Sequence, residues 1–221
     1  IIYARCKKSM ILLDPIMREY ILNIEYEDNV IYGIKSVAGS GKTTILLDLA
    51  KANSSKRILY LAFNKAIVTE VKIRKRKVAD NLKPLTFDAL MRKLYLSNVD
   101  NDKFELTDLR PYTFGDIPGY SWFKNKPFKM KQRYINIYNS FCKDCEYNDI
   151  IKFMKDKYPL IKPKTIIKMW HDTKCNRIVT FNSIRKLALI NGWFKLIDKE
   201  YDIVFIDEAQ DLSLIQWDIV K

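Results

Sequence analysis

The sequence predicts an α/β protein built on a parallel β-sheet, with a basic and mainly helical segment inserted into it. Three observations support this. Short buried strands alternate with amphipathic helices, a glycine-rich loop joins one strand to the next helix, and most of the positive charge lies mid-chain. Hydrophobic residues make up 48% of the 221, which is enough for a packed core and excludes a wholly disordered chain.

The predicted elements follow from hydrophobic spacing. The run VIYGIKSV at 30–37 is apolar and β-branched, which predicts a buried strand. After the loop, residues 42–52 place Ile45, Leu46, Leu49 and Ala50 on one helical face. The helix expected at 64–76 should bury Ala66, Ile67, Val71 and Ile73, before Pro84 breaks the pattern. The other predicted elements are strands at 57–63 and 202–206 and helices at 88–96 and 213–220.

The middle of the chain differs from its flanks. Prolines and aromatic residues open the stretch that follows residue 99, and residues 120–180 contain 14 Lys and Arg against five Asp and Glu. This composition indicates an inserted basic helical subdomain. We therefore expect three segments: 1–98 and 179–221 form the sheet domain, and 99–178 form the insertion.

Charge and cysteine content restrict the class of protein. The formal net charge of +13 suggests a polyanionic partner. No apolar run approaches the roughly 18–20 residues that a membrane span needs, so no membrane association is expected. Four cysteines are few for this length and favour a reducing intracellular setting. The chain begins at Ile1 and ends inside a predicted helix, so we expect a piece of a longer protein.

The loop between the first strand and its helix carries a phosphate-binding pattern. Residues 36–43 (SVAGSGKT) match G-x-x-x-x-G-K-[ST] except that Ser36 replaces the first glycine. Backbone amides and the helix N-terminus would bind phosphates, Lys42 would reach the β- and γ-phosphates, and Thr43 would bind Mg²⁺. A plain strand-to-helix turn is the alternative. The predicted nucleotide-binding residues are Ala38, Gly39, Ser40, Gly41, Lys42, Thr43 and Thr44.

Paired carboxylates follow the last predicted strand. Asp207 would hold Mg²⁺ and Glu208 would position and deprotonate the attacking water, because ligand sites of parallel sheets lie at the carboxyl ends of strands. The alternative is an acidic loop in which Asp211 caps the next helix. Together with the phosphate loop, the pair favours nucleoside triphosphate hydrolysis.

Four segments in order resemble the first half of UvrD/Rep-type superfamily 1 helicases: VAGSGKTT, ILYLAFNKAIV, LTFDAL and IVFIDEAQDLS. Residues 135–150 and 168–187 are most similar to the F-box DNA helicase branch. The resemblance implies a RecA-like P-loop NTPase domain (1A) that uses ATP and Mg²⁺, with the insertion as subdomain 1B lying against DNA. It also implies translocation from 3′ to 5′ on single-stranded or partly duplex DNA, in repair or recombination.

The resemblance assigns further residues. It implies that Gln210 senses the γ-phosphate, that Phe63, Asn64 and Lys65 form one single-strand contact, and that Thr86 and Phe87 form a second. Each phenylalanine has the alternative of a place in the core, since aromatic side chains are usually buried.

The sequence also departs from the family. Met17 stands where the family has a glutamine that reads adenine, and a second RecA-like domain with its arginine is not in the chain. We therefore expect weak hydrolysis by this chain alone. Two other functions stay open: a catalytically incomplete module that binds single-stranded nucleic acid, and a phosphoryl-transfer enzyme for small molecules.

Weaker patterns carry less specific expectations. The basic run at 72–77 is more typical of a solvated helix end than of a phosphate contact. Cys142, Cys145, His171 and Cys175 have the residue types of a zinc site, but their spacing is loose. The cell compartment expected is the nucleus or cytoplasm, or the replication site of a large DNA virus, because the abundant Ile, Lys, Asn and Tyr suit an A+T-rich genome. Core positions are expected for Trp170, Trp193, Phe194 and Trp217.

Overall fold

The computed structural model describes residues 2–5, 21–23, 31–34, 41–75, 79–99, 105–175 and 177–220. The chain divides into two compact units. We call Ile1–Leu90 with Lys195–Ser213 the sheet unit, and Met91–Phe194 with Leu214–Val220 the helical unit. The predicted α/β class with a parallel sheet is confirmed.

The sheet unit is built on three parallel strands in the order β4–β3–β5: β3 (Ile58–Ala62), β4 (Leu82–Thr86) and β5 (Ile203–Ile206). The central strand β3 is buried at every position, as expected for a strand with neighbours on both sides. Strand β4 is not among the predicted elements, because Pro84 indicates only the end of the preceding helix. Pro84 instead pairs with Tyr60 in an edge strand, where a missing N–H is tolerated.

Helices α1 (Lys42–Ala52) and α2 (Lys65–Lys75) belong to this unit. The α1 bounds are the predicted ones, and its apolar residues join the core with Ile58, Tyr60 and Ala62 of β3. The predicted face of α2 is partly wrong. Val68 and Val71 are buried, whereas Ala66 and Ile73 are exposed. Ile67 and Val71 therefore stay on the packed face, which Val68 joins in place of Ala66 and Ile73.

A second, two-stranded sheet pairs β1 (Ile2–Arg5) with β2 (Ile31–Ile34) in antiparallel register. Strand β2 lies inside the predicted run at 30–37. Its partner and its antiparallel direction were not predicted, because an apolar run indicates burial and does not specify a neighbour.

Among its described residues, the helical unit contains most of α3 (Phe87–Leu96) and five further α-helices. These are α4 (Phe128–Lys143), α5 (Ile150–Lys157), α6 (Lys164–Lys174), α7 (Phe181–Asn191) and α9 (Leu214–Val220). Helix α4 packs on α6 and α7, α5 packs on α6, and α9 packs on α7. Trp170 is buried among them, and Trp193, Phe194 and Trp217 are partly buried. Helix α8 (Lys195–Glu200) belongs to the sheet unit.

Two buried polar centres hold the helical unit together. The Asp172 carboxylate accepts hydrogen bonds from Tyr120, at 2.8 Å, and from Lys168, and Arg177 lies 3.7 Å away. Burial opposes ionisation of Asp172, but the bonds from Lys168 and Tyr120 outweigh it and lower the pKa. The ammonium of Lys186, which is 0% exposed, donates to the carbonyls of Asp144, at 2.6 Å, and Tyr147.

No helix in the described part of the chain combines the length and the apolar character needed to cross a bilayer.

Candidate functional site

The described part of the phosphate loop begins at Gly41. This glycine has a φ of 81° in the left-handed region and forms the N-cap of α1. No acidic residue lies in the first turn of α1, so side-chain charge does not neutralise the positive end of the helix there. Ala38, Gly39 and Ser40, like Ser36 and Met17, lie outside the described residues.

Strand β5 positions the acidic pair. Side chains alternate along a strand, so Asp207 continues the face of Ile203 and Phe205, which packs on the core beneath α1. The Asp207 N–H donates to the carbonyl of Leu61 at 2.9 Å and fixes the strand end beside β3. Glu208 then has a φ of 52°, a left-handed conformation that is uncommon outside glycine and typical of functional sites.

Lys42 and Glu208 form an ion pair. Their Nζ and Oε1 atoms are 3.3 Å apart, and the two side chains are 15% and 30% exposed. Gln210 also donates to Glu208. Gln210, and after it Lys42, lower the pKa of Glu208 against the opposing effect of burial. The carboxylate is therefore ionised at neutral pH and is held by two donors.

Tyr60 brings the two predicted Mg²⁺ residues together. Its hydroxyl donates to Oδ2 of the buried Asp207, and it also interacts with the Thr43 side chain. Burial raises the pKa of Tyr60 well above its usual range, and the charge of Asp207 adds to the increase. Sequence patterns alone do not identify this residue. Its only signal was a hydroxyl-bearing side chain in the otherwise apolar run ILYLA.

These residues fit a hard divalent cation. Mg²⁺ prefers carboxylate and hydroxyl oxygens, and Asp207 and Thr43 supply both kinds. Among the described residues, no Lys or Arg nitrogen lies within ion-pair distance of the Asp207 carboxylate, because Lys42 pairs with Glu208 instead. A buried carboxylate without a counter-charge is costly, and a bound cation would balance it.

The hydroxyl of Thr44 has a different partner. It accepts a hydrogen bond of 2.6 Å from Arg74, which also pairs with Glu70 at 3.2 Å. Arg74 belongs to the basic run predicted at 72–77, so this cation links α2 to the first turn of α1. Lys72 of the same run is exposed, and residues 76 and 77 lie outside the described part.

The first predicted single-strand contact lies directly after β3. Phe63 is 55% exposed, and Lys65 is also exposed. The Asn64 side chain accepts a hydrogen bond from the N–H of Ile67 at 2.9 Å, so it caps α2. The ring and the ammonium are thus available to a ligand, whereas the amide oxygen already has a partner.

The second predicted contact lies at the junction of β4 and α3. Thr86 accepts a hydrogen bond of 3.1 Å from the N–H of Ala89 and caps the helix. Phe87 is 3% exposed, so stacking on a base would require its ring to leave the core. Both assignments stay predictions.

The cysteine and histidine positions do not form a metal-binding cluster. Cys175 lies 3.9 Å from a ring nitrogen of His171 at the end of α6. Within the residues that the structure describes, no three His, Cys, Asp or Glu side chains are placed to hold a metal ion. Cys142 is buried, and burial raises the pKa of its thiol to about 12, which disfavours the thiolate that zinc needs.

Comparison with known proteins identifies a relative among the DNA helicases. The chain is 35% identical to F-box DNA helicase protein 1 of Schizosaccharomyces pombe, in an alignment that covers 92% of this chain and 25% of that protein. The chain thus spans about a quarter of the length of this relative. No protein-family model matches the chain. The similarity supports a relationship to helicases and, at this level, to no finer family.

Proposed function

We propose that this chain is the nucleotide-binding part of an ATP-dependent DNA helicase of the UvrD/Rep type. ATP hydrolysis would drive 3′ to 5′ movement on single-stranded DNA, in repair or recombination, in the nucleus or cytoplasm. The observation that carries the proposal is the ion pair between Lys42, at the start of α1, and Glu208, just after β5. Tyr60 adds to it, because its hydroxyl interacts with both Thr43 and Asp207. The similarity to a yeast DNA helicase supports DNA as the track.

In the proposed reaction, backbone amides of residues 38–41 and the N-terminus of α1 bind the phosphates. Lys42 leaves Glu208 and binds the terminal phosphates of ATP. Thr43 and Asp207 would hold Mg²⁺, which supplies neutralisation of phosphate charge when bound. The phosphates and Glu208 thus compete for Lys42, so nucleotide binding releases Glu208 from its ion pair.

Glu208 would orient the attacking water and accept its proton. Lys42 and Gln210 both lower the pKa of this carboxylate, and a weakly basic carboxylate is a poor proton acceptor. When Lys42 moves to the phosphates, one of the two donors is lost and Glu208 becomes more basic. Gln210 stays hydrogen-bonded to Glu208 and would couple the presence of the γ-phosphate to the DNA-binding loops.

The domain assignment belongs to the same proposal. Residues 1–98 and 179–221 would form domain 1A, and 99–178 would form subdomain 1B. A second RecA-like domain would supply an arginine to the γ-phosphate, a contribution of roughly 10³–10⁵ in rate in GTPases. We therefore expect this chain alone to bind nucleotide and to hydrolyse it slowly.

The test measures DNA-stimulated ATP hydrolysis by the full-length protein that contains this chain. Lys42→Ala and Glu208→Gln should each lower turnover by about 100-fold or more, because each removes a group aimed at the reacting phosphate. Lys51→Ala is the matched control, since Lys51 is an exposed lysine in the last turn of the same helix. Unchanged turnover in either site variant rejects the mechanism.

The exposure of Phe63 favours a second candidate, a nucleic-acid-binding module without catalysis. Anisotropy of a labelled single-stranded oligonucleotide should fall on Phe63→Ala, with binding about 5- to 150-fold weaker, as expected for one stacked base. Ile73→Ala removes a comparably exposed apolar side chain from α2 and should change nothing. Oligonucleotide binding without any nucleotide binding favours the module over the helicase.

A further inference from the structure

We propose that Tyr60 is a positioning residue, whose buried hydroxyl holds the Asp207 carboxylate in the orientation that binds a divalent cation together with Thr43. The inference rests on the proposed nucleotide site and adds to it a residue to which the sequence patterns assign no role. Tyr60 touches neither nucleotide nor the reacting atoms in this arrangement. Its effect would pass through Asp207, which accepts its hydrogen bond, and through the neighbouring Thr43.

The backbone around Tyr60 makes it a rigid donor. The residue lies in the middle of β3, where it pairs with Pro84 of β4 on one side and Phe205 of β5 on the other. Its side chain is 0% exposed and belongs to the apolar core of the sheet unit. A buried hydroxyl must find a protein partner, because solvent cannot supply one. The partner here is Oδ2 of Asp207.

Both oxygens of Asp207 are held by donors. Oδ2 accepts from Tyr60, and Oδ1 accepts from the N–H of Glu208 at 3.0 Å. A carboxylate has about four lone-pair positions, so roughly two stay available for a cation or its bound water. With both oxygens held, the side chain does not lose rotamer freedom when a cation binds. Hydrogen bonds of this kind behind a metal ligand typically change metal affinity by 10- to 100-fold.

The place of the hydroxyl argues against a purely space-filling tyrosine. A phenylalanine would fill the core of β3 equally well without the cost of burying a polar atom. The hydroxyl instead lies where it contacts both Thr43 and Asp207, the two residues with oxygen ligands. Its contribution should therefore appear in metal-dependent binding and leave metal-free nucleotide binding unchanged.

The experiment measures nucleotide affinity with and without Mg²⁺. Fluorescent N-methylanthraniloyl-ATP is titrated into this chain and into its Tyr60→Phe variant, and the ratio of the two dissociation constants gives the gain due to metal. Tyr60→Phe should reduce this gain by about tenfold and leave the metal-free constant within twofold. Bound Mn²⁺, counted by electron paramagnetic resonance, should show the same loss without any turnover.

Tyr120→Phe is the matched control. It deletes the same kind of buried tyrosine–aspartate hydrogen bond in the helical unit and should leave the metal gain unchanged. Asp207→Asn is the reference for complete loss. An unchanged gain in Tyr60→Phe, with loss in Asp207→Asn, overturns the role of Tyr60 and leaves the nucleotide site standing. Absence of metal-dependent binding in the unmodified chain overturns the proposed function itself, and this inference with it.

A second measurement covers the case in which Tyr60→Phe does not fold. 3-Fluorotyrosine at position 60 keeps the ring and the hydroxyl. Its fluorine resonance should shift when Mg²⁺ is added to the nucleotide-bound chain, because the charge on Asp207 becomes balanced. A resonance that is unmoved by Mg²⁺ at saturating nucleotide contradicts the proposal.

Discussion

The two units each bury a tyrosine–aspartate hydrogen bond, Tyr60–Asp207 in the sheet unit and Tyr120–Asp172 in the helical unit. Asp172 also accepts a hydrogen bond from the Lys168 ammonium and lies near Arg177, so these two cations balance its charge. Asp207 has no such cation among the described residues. The tyrosine–aspartate pair thus stabilises the fold at Asp172, where cations balance the charge. At Asp207, where no described cation does so, the pair can contribute to a cation-binding site.

The cost of removing the carboxylate differs in size between the two aspartates. Removing one partner from a compensated buried cluster leaves donors and charges without partners, which costs several kcal/mol. Removing an uncompensated buried charge relieves desolvation, and what is lost is the ability to bind a cation. The following substitutions separate these two cases.

The largest effect on stability is expected for Asp172→Ala. It leaves the hydroxyl of Tyr120, which is 0% exposed, without its acceptor and removes the counter-charge of Lys168. We expect the free energy of unfolding in urea to fall by about 3 kcal/mol. Asp207→Asn is the comparison, since an amide oxygen can still accept from a neighbouring N–H. It should cost within about 1 kcal/mol, and an equal loss in both variants contradicts the distinction.

Binding of nucleotide with Mg²⁺ should stabilise the chain through Asp207, the carboxylate with no nearby cation among the described residues. Nucleotide with Mg²⁺ at about 100 times its dissociation constant should raise the free energy of unfolding by about 2.7 kcal/mol. Removal of Mg²⁺ with a chelator, or Asp207→Asn, should abolish most of this gain. Thermal unfolding monitored with and without ligand provides the measurement, and a gain that survives in Asp207→Asn places the cation elsewhere.

A smaller loss is expected for Lys186→Met in the helical unit. The buried ammonium satisfies two backbone carbonyls, and burial lowers the pKa of Lys186. Methionine fills the space but leaves those carbonyls without a donor, so we expect a loss of about 2 kcal/mol in urea unfolding. Lys174→Met is the control, because Lys174 is exposed at the end of α6. A neutral Lys186→Met would contradict this prediction, because relief of the buried charge would then offset the two lost hydrogen bonds.

The sequence predicted elements best where local chemistry determines them. Helix α1 was located to the residue because a loop of small residues ends at Gly41 and an apolar face with helical spacing follows it. Strand β4 was not predicted because a proline such as Pro84 is tolerated in a strand with one neighbour and not in a strand with two. The sequence does not show how many neighbours a strand has. Tyr60 was missed for a similar reason. Only the register of β3 and β5 brings its hydroxyl to Asp207, 147 residues away.

The smallest effect should come from a third aspartate, Asp202, whose charge is balanced at the surface. Arg57 bonds it through Nη2 at 2.9 Å and Nε at 3.2 Å. The side-chain bond from Arg57, then the Arg57 N–H, lower the pKa of Asp202 from 3.8 to about 2. Because the folded pKa lies below the unfolded one, the contribution of this pair is present above pH 3.8 and is lost as the pH falls towards 2.

The measurement compares urea midpoints of the unmodified chain and Asp202→Asn at several pH values. The unmodified chain should have a slightly higher midpoint at pH 7, and the difference should disappear near pH 2. Salt should also reduce it at pH 7, because solvent ions screen exposed pairs. The loss in Asp172→Ala should persist at high salt, since solvent ions do not reach that buried carboxylate. A difference that salt removes at both aspartates would mean that burial does not separate them.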